Sequence, residues 1–196
     1  VVFSDSLFPD SAWAQEIVTD SAAGGTSAAS FSQQASGGNP GPYQLTTITF
    51  PYLAGSPQSV LVGNFLDVAA FDPTQSGEIL NLAFSIDYNL ISQSGGTPGA
   101  SVGALLRQNA TLYRGPITQT LPNAGTWTPL TFASLTPSDF VRIAGTGDSV
   151  PDFSGTSIDF GYFTGVGAAS GPTSVINTSL GVDNFQYHVT AVPEPS

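Results

Sequence analysis

Few groups in this chain are equipped for chemistry. Of its 196 residues, 14 are acidic and three are basic (Arg107, Arg114 and Arg142), and His188 is the single histidine. There is no cysteine, which excludes disulfides and thiolate metal sites. His188 shares a face of an alternating run with Gln186 and Thr190, opposite Phe185 and Tyr187. It therefore belongs on a surface rather than beside a nucleophile. The stretch DPTQSGE, Asp72 to Glu78, opens like a calcium loop, with oxygens at its first, third and fifth positions and Gly77 at its sixth. The twelfth position, which needs a bidentate glutamate, is Ala83, so the stretch reads as a polar turn. Acid pairs for glycoside hydrolysis leave no local signature around Glu16, Glu78 or the aspartates. No catalytic residue is assigned, and the expectation is a protein that is not an enzyme.

Two further patterns carry chemistry in other contexts. GDSV, Gly147 to Val150, resembles the nucleophile block of the Gly-Asp-Ser-Leu esterases. That chemistry uses an Asp-x-x-His pair near the C-terminus; here Asp183 and His188 are five apart, and the match reads as chance. Trp13 and Trp127 are carbohydrate-binding candidates because an indole face stacks on a pyranose, with core packing the plainer reading for both. Asn109 (NAT) and Asn177 (NTS) are glycosylation candidates.

The elements that must hold these groups are strands. In GEILNLAFSIDYNLIS, Leu80, Leu82, Phe84, Ile86, Tyr88 and Leu90 occupy every second position, which puts them on one face of an extended strand. SIDFGYFT and the closing run Phe185, Tyr187, Val189, Ala191 repeat the pattern. Further strands are expected over Trp13–Thr19, Ser27–Gln34, Tyr43–Tyr52, Ser59–Val68, Val102–Tyr113 and Thr126–Phe132. The chain has 22 Gly and 15 Pro, clustered in turns such as SGGNPGP at 36–42. TPSDF predicts one helical turn, with Thr136 as N-cap, Pro137 first and Asp139 third. The expected fold is all-β: an antiparallel β-sandwich of jelly-roll type with at most one or two short helical turns. One domain is expected over 1–190, followed by a short tail, 191–196.

The formal net charge is −11. Such a chain repels nucleic acid and anionic bilayers and attracts cations, calcium above all. No apolar run is long enough to span a membrane.

The tail VPEPS places Pro193, Glu194 and Pro195 directly after a terminal strand. It resembles the Pro-Glu-Pro C-terminal sorting signal of exported bacterial proteins, the PEP-CTERM class. In that class the tripeptide precedes a hydrophobic helix and a basic cluster, and both are absent after Pro195 here. The resemblance implies export to the cell surface or beyond, with any membrane contact made through a removed C-terminal helix. FSDSLF with Trp13, GGNPG at 37–41, PDFS at 151–154 and GVDNFQYHV at 181–189 are similar to secreted sandwiches bearing this tail. More loosely they resemble laminin-B-like and carbohydrate-binding jelly rolls. In several of those an acid near the first strand and one in the closing strand hold a structural calcium. By position the resemblance implies Asp5 and Asp183.

A proline-rich end has few backbone donors and frays unless it docks, most simply on another copy. The leading expectation is a non-enzymatic extracellular structural protein that self-assembles into a filament, surface layer or biofilm matrix. The alternative is a carbohydrate-binding module that recognises exopolysaccharide. The expected partners are further copies of the chain and polysaccharide, not nucleic acid.

Overall fold

The computed structural model describes residues 1–95, 99–119, 125–169 and 171–192. The strands it contains are β1 (Val2–Asp5), β2 (Trp13–Asp20), β3 (Ala28–Gly38), β4 (Gly41–Tyr52), β5 (Gln58–Phe71), β6 (Ile79–Ser94), β7 (Gly99–Gln108), β8 (Thr111–Gln119), β9 (Thr128–Leu135), β10 (Val141–Ala144), β11 (Ile158–Ala168) and β12 (Ser174–Ala191). They form two six-stranded sheets. The first has the order β3-β4-β12-β6-β9, with β1 added to β12 in line with β4; the second has the order β10-β8-β7-β11-β5-β2. All of the pairings are antiparallel. The chain passes repeatedly from one sheet to the other, so β12 lies between β4 and β6, and β11 between β5 and β7. The fold is the expected antiparallel β-sandwich of jelly-roll type.

Alternation explains which side chains meet between the layers. On β6, Leu82, Phe84, Ile86 and Tyr88 are buried, and on β12 so are Phe185, Tyr187 and Val189. Leu80 departs from the pattern and is 58% exposed. Ile79 takes the inward place at that end of β6, where the register against β12 shifts at Thr190/Ala191. The interlayer core is aromatic: Trp13, Tyr162, Phe185, Tyr187, Phe84 and Phe160 form a chain of ring contacts with centroids about 5–6 Å apart. Burying each such ring is worth roughly 1.5–3 kcal/mol, and edge-on pairs add roughly 0.5–1.5 kcal/mol each. The two tyrosines of this ring chain, Tyr162 and Tyr187, have their hydroxyls satisfied across the layers. Tyr162 donates to Gln44 Oε1, and the Tyr187 hydroxyl lies 3.3 Å from Leu105 O and 3.2 Å from Gly161 O. Burial pushes both phenols above their ordinary range, so they stay neutral donors.

The expected single strand over Val102–Tyr113 is instead a hairpin, β7 and β8, turning at Asn109 and Ala110. Both turn residues have positive φ, 51° and 58°, the backbone of a tight two-residue hairpin. Among the described residues helix is confined to three short turns, Asp10–Ala12, Pro73–Ser76 and Pro137–Asp139, one more than the expected one or two. In α1 (Pro73–Ser76), Asp72 caps the turn by accepting from Thr74 N, which makes DPTQSGE a capped turn. Pro137–Asp139 forms a 3-10 turn in which Thr136 N donates to Asp139 Oδ2, as the TPSDF pattern predicts. Among the described residues no helix is long and apolar enough to cross a membrane.

Candidate functional site

The residues singled out in the sequence fall in different places. Trp13 is 5% exposed and lies among Phe8, Tyr162 and Phe185, with its Nε1 donating to Asp5 Oδ2 at 2.8 Å. Its ring has no open face, so it is a core residue and not a sugar platform. Trp127 is half-buried on the outer face of the first sheet. Its Nε1 donates to Gly37 O at 2.9 Å, and its ring stands edge-on to Tyr43 with centroids 5.4 Å apart. Both rings reach over Gly181 of β12, where a Cβ would lie 3.0 Å from the indole and 3.1 Å from the phenol. His188 is exposed on the same sheet, between Gln186 and Thr190. Ser149 lies beyond β10 at the edge of the second sheet, where its carbonyl accepts from Arg142 N, so the two do not meet as base and nucleophile. Asn109 and Asn177 are both exposed. Pro193, Glu194 and Pro195 lie outside the described residues.

Asp5 and Asp183 come to one edge of β12, since β1 pairs there with Asp5 opposite Phe185. Their oxygens are occupied by N–H donors. Asp5 Oδ1 accepts from Leu7 N and Phe8 N, and Asp183 accepts from Asn39 N and Asn184 N. Asp183 is fully buried, and loss of solvent raises its pKa above the ordinary carboxylate value, against the two backbone donors that lower it. Among the described residues no three His, Asp or Glu side chains gather at metal-binding distance. A structural calcium at Asp5 and Asp183 is thus a proposal resting on sequence resemblance, and it would have to displace these donors. The N-terminal strand also finds its partner within the chain: Val1 N donates to Val189 O at 2.8 Å, and Val189 N to Val1 O at 2.7 Å.

The concave feature lies elsewhere, on the outer face of the second sheet. Part of that face is filled. Phe65, Leu105, Leu112 and Phe163 form a buried cluster outside the interlayer core, flanked by Val18, Leu61, Ile117 and Ile143. Glycines make room for it. A Cβ on Gly103 would lie 2.7 Å from the Phe163 ring and 2.5 Å from Pro116 O, and one on Gly63 would lie 2.7 Å from Leu105. Arg107 closes this half, its guanidinium 4.4 Å from the Phe65 centroid and its Nε 2.9 Å from Asp159, with Glu16 at 3.7 Å.

The other half of the face is open. Register sets Gly99 opposite Gly167 and Ser101 opposite Gly165 across β7 and β11, and Gly165 opposite Leu61 and Gly167 opposite Ser59 across β11 and β5. Three of these outward positions carry no side chain, so the backbone itself forms the floor of a groove of about 650 Å³. Val60 and Val166 also line it, although their side chains belong to the interlayer core, as a bare floor requires. Leu61, Ile117 and Ile143 supply apolar walls; Thr19, Ser59 and Ser101 supply hydroxyls; Arg114 supplies the one cationic group. Among the described residues no carboxylate or imidazole lines the groove. A smaller hollow of about 180 Å³ lies beside Gly147, Asp148 and Asp152.

Sequence reading missed this groove. The available signal was glycine at alternate positions on one face: Gly99 and Gly103 in β7, Gly161, Gly165 and Gly167 in β11. Repeated on two separate strands, that pattern marks a sheet face stripped of side chains.

No family model matches the chain, and neither does any curated protein. Solved structures are similar in shape. A family 11 carbohydrate-binding module from Clostridium thermocellum, in complex with a β-1,3-1,4-mixed-linked tetrasaccharide, is 12% identical, with 99% of this chain and 98% of that one covered, at a TM-score of 0.47. The C-terminal family 22 carbohydrate-binding module of Clostridium thermocellum Xyn10B is 15% identical, with 95% and 92% covered, at 0.44. Likeness at this level says nothing about what this chain binds.

Proposed function

We propose that this chain is a non-catalytic, extracellular saccharide-binding module, and that the groove on the outer face of its second sheet is the binding site. The observation that carries the reading is the composition of the groove. Its volume of about 650 Å³ is that of a ligand site rather than a packing defect. A saccharide presents C–H faces and a fringe of hydroxyls. The backbone floor and Leu61 wall suit the first; Ser59, Ser101, Thr19 and Arg114 suit the second. A glycine floor lets a ring approach the strand backbone closely. Among the described residues lining the groove there is neither an acid nor a base for hydrolysis to use, which favours retention over cleavage. A net charge of −11 argues against nucleic acid as the occupant.

Export and surface location fit this reading through the PEP-CTERM-like tail. The test is native affinity electrophoresis of the purified chain in gels cast with soluble neutral and acidic polysaccharides. Retarded migration in at least one polysaccharide is expected. Unretarded migration in every gel overturns the reading.

A further inference from the structure

We infer that Arg114 makes the groove selective for a saccharide that carries a carboxylate, a uronic acid unit within an otherwise neutral chain. The inference rests on the saccharide reading and adds the chemical class of the ligand. Each of the three arginines has a different setting. Arg107 is neutralised by Asp159 and Glu16 and covers Phe65. Arg142 donates from Nη1 to Gly147 O. Arg114 faces the groove from β8, where register places it between Leu105 of β7 and Val141 of β10. Among the described residues no carboxylate lies within ion-pair distance of it, and its Nε–H is buried without a hydrogen-bond partner.

An unpartnered guanidinium N–H is unexpected here. The chain carries 14 acidic residues against three arginines, so a neutralising carboxylate was readily available. Because Nε is buried, a ligand in the groove meets the rest of the guanidinium, which lines the groove without a carboxylate to neutralise it. The two Nη groups of a guanidinium present paired N–H donors, a fork that matches the two oxygens of a carboxylate. The neighbouring lining side chains are hydroxyls, aliphatic groups and the Gln58 amide, so among the described residues no anion inside the groove competes for the guanidinium. The whole-protein field acts in the opposite sense. At a net charge of −11 a densely charged polyuronate is repelled over a Debye length, whereas one isolated carboxylate among neutral sugars meets mainly the local field of Arg114.

Glucuronoxylan, a neutral backbone with sparse uronate branches, and the same polymer after carboxyl reduction are the probes. Binding is measured by affinity electrophoresis and titration calorimetry on the native chain and on Arg114→Gln and Arg114→Lys. The native chain is expected to bind the carboxylated polymer at least tenfold more tightly than the reduced one. Arg114→Gln should close that gap, and Arg114→Lys should recover only part of it, because an ammonium lacks the fork. Thermal melting checks the fold of the variants, and Arg114→Gln is expected to melt no lower than the native chain. Equal binding of both polymers, or a gap that survives Arg114→Gln, overturns the inference and leaves the saccharide reading standing. If neither polymer binds, sodium glucuronate is titrated while the Arg114 Nε–H resonance is followed by NMR. A saturable shift retains the carboxylate site without the polymer, and no shift overturns the inference as well.

Discussion

Gly99 and Gly103 lie on the same outward face of β7, and the structure gives them opposite tolerance for a side chain. A Cβ on Gly99 meets nothing closer than Gly167 O at 3.9 Å, an ordinary contact at the mouth of the groove. A Cβ on Gly103 would stand 2.5 Å from Pro116 O and 2.7 Å from Phe163, a ring that is fully buried and cannot yield. Gly99→Val should therefore fold. Replacing a strand glycine by a β-former adds stability of about 0.5–1 kcal/mol, which for a domain of this size raises Tm by roughly 1–4 °C. The isopropyl group then projects over the floor formed by Gly165 and Gly167, and saccharide binding should fall at least tenfold, about 1.4 kcal/mol. Gly103→Ala adds a single methyl group yet forces overpacking, at a cost of about 1–3 kcal/mol and a Tm lower by several degrees. Differential scanning calorimetry and affinity electrophoresis on the two variants give all four values. Unchanged retardation in a well-folded Gly99→Val would refute the placement of the site. A Gly103→Ala that melts with the native chain would refute the packing of the outer face.

Trp127→Ala removes the bond to Gly37 O and the edge contact with Tyr43, at a cost of about 1–3 kcal/mol by chemical denaturation. It should leave saccharide retardation intact, since Trp127 belongs to the opposite sheet; loss of retardation would move the site there. Asp183 predicts a pH dependence. Its folded pKa is raised by burial, so its contribution to stability is complete below the unfolded carboxylate pKa, near 3.9, and is lost as pH rises through the folded value. Urea titrations across this range should show that decline in the native chain and not in Asp183→Asn. The variant should also be less stable by about 1–3 kcal/mol, because its amide turns an N–H₂ toward one of the two backbone donors. Parallel pH profiles for the two would contradict the assignment.

Period-two alternation was enough to place β6, β11 and β12 and the fold class, because one face of each is buried and a single-residue slip would expose the whole apolar set. Pro137 and Asp139 revealed their turn through local capping chemistry. The β7–β8 hairpin was hidden because Asn109-Ala110 adopts positive φ without glycine. Trp13 was ambiguous in sequence, since its burial depends on Tyr162 and Phe185, far away along the chain. The groove was least legible. It is made by missing side chains on β7 and β11, brought into register only when the second sheet assembles. Arg114 stands out only after Arg107 is seen to take the nearby acids Glu16 and Asp159.

The most direct measurement of the central claim is an amide-resolved NMR titration of the native chain with the oligosaccharide fragments of whichever polymer retards it. Saturable shifts should cluster at Ser59, Leu61, Gly99, Ser101, Gly165 and Gly167, on the outer face of the second sheet. Shifts that gather instead around Tyr43, Trp127 and Gly181, or none at saturating ligand, would contradict it.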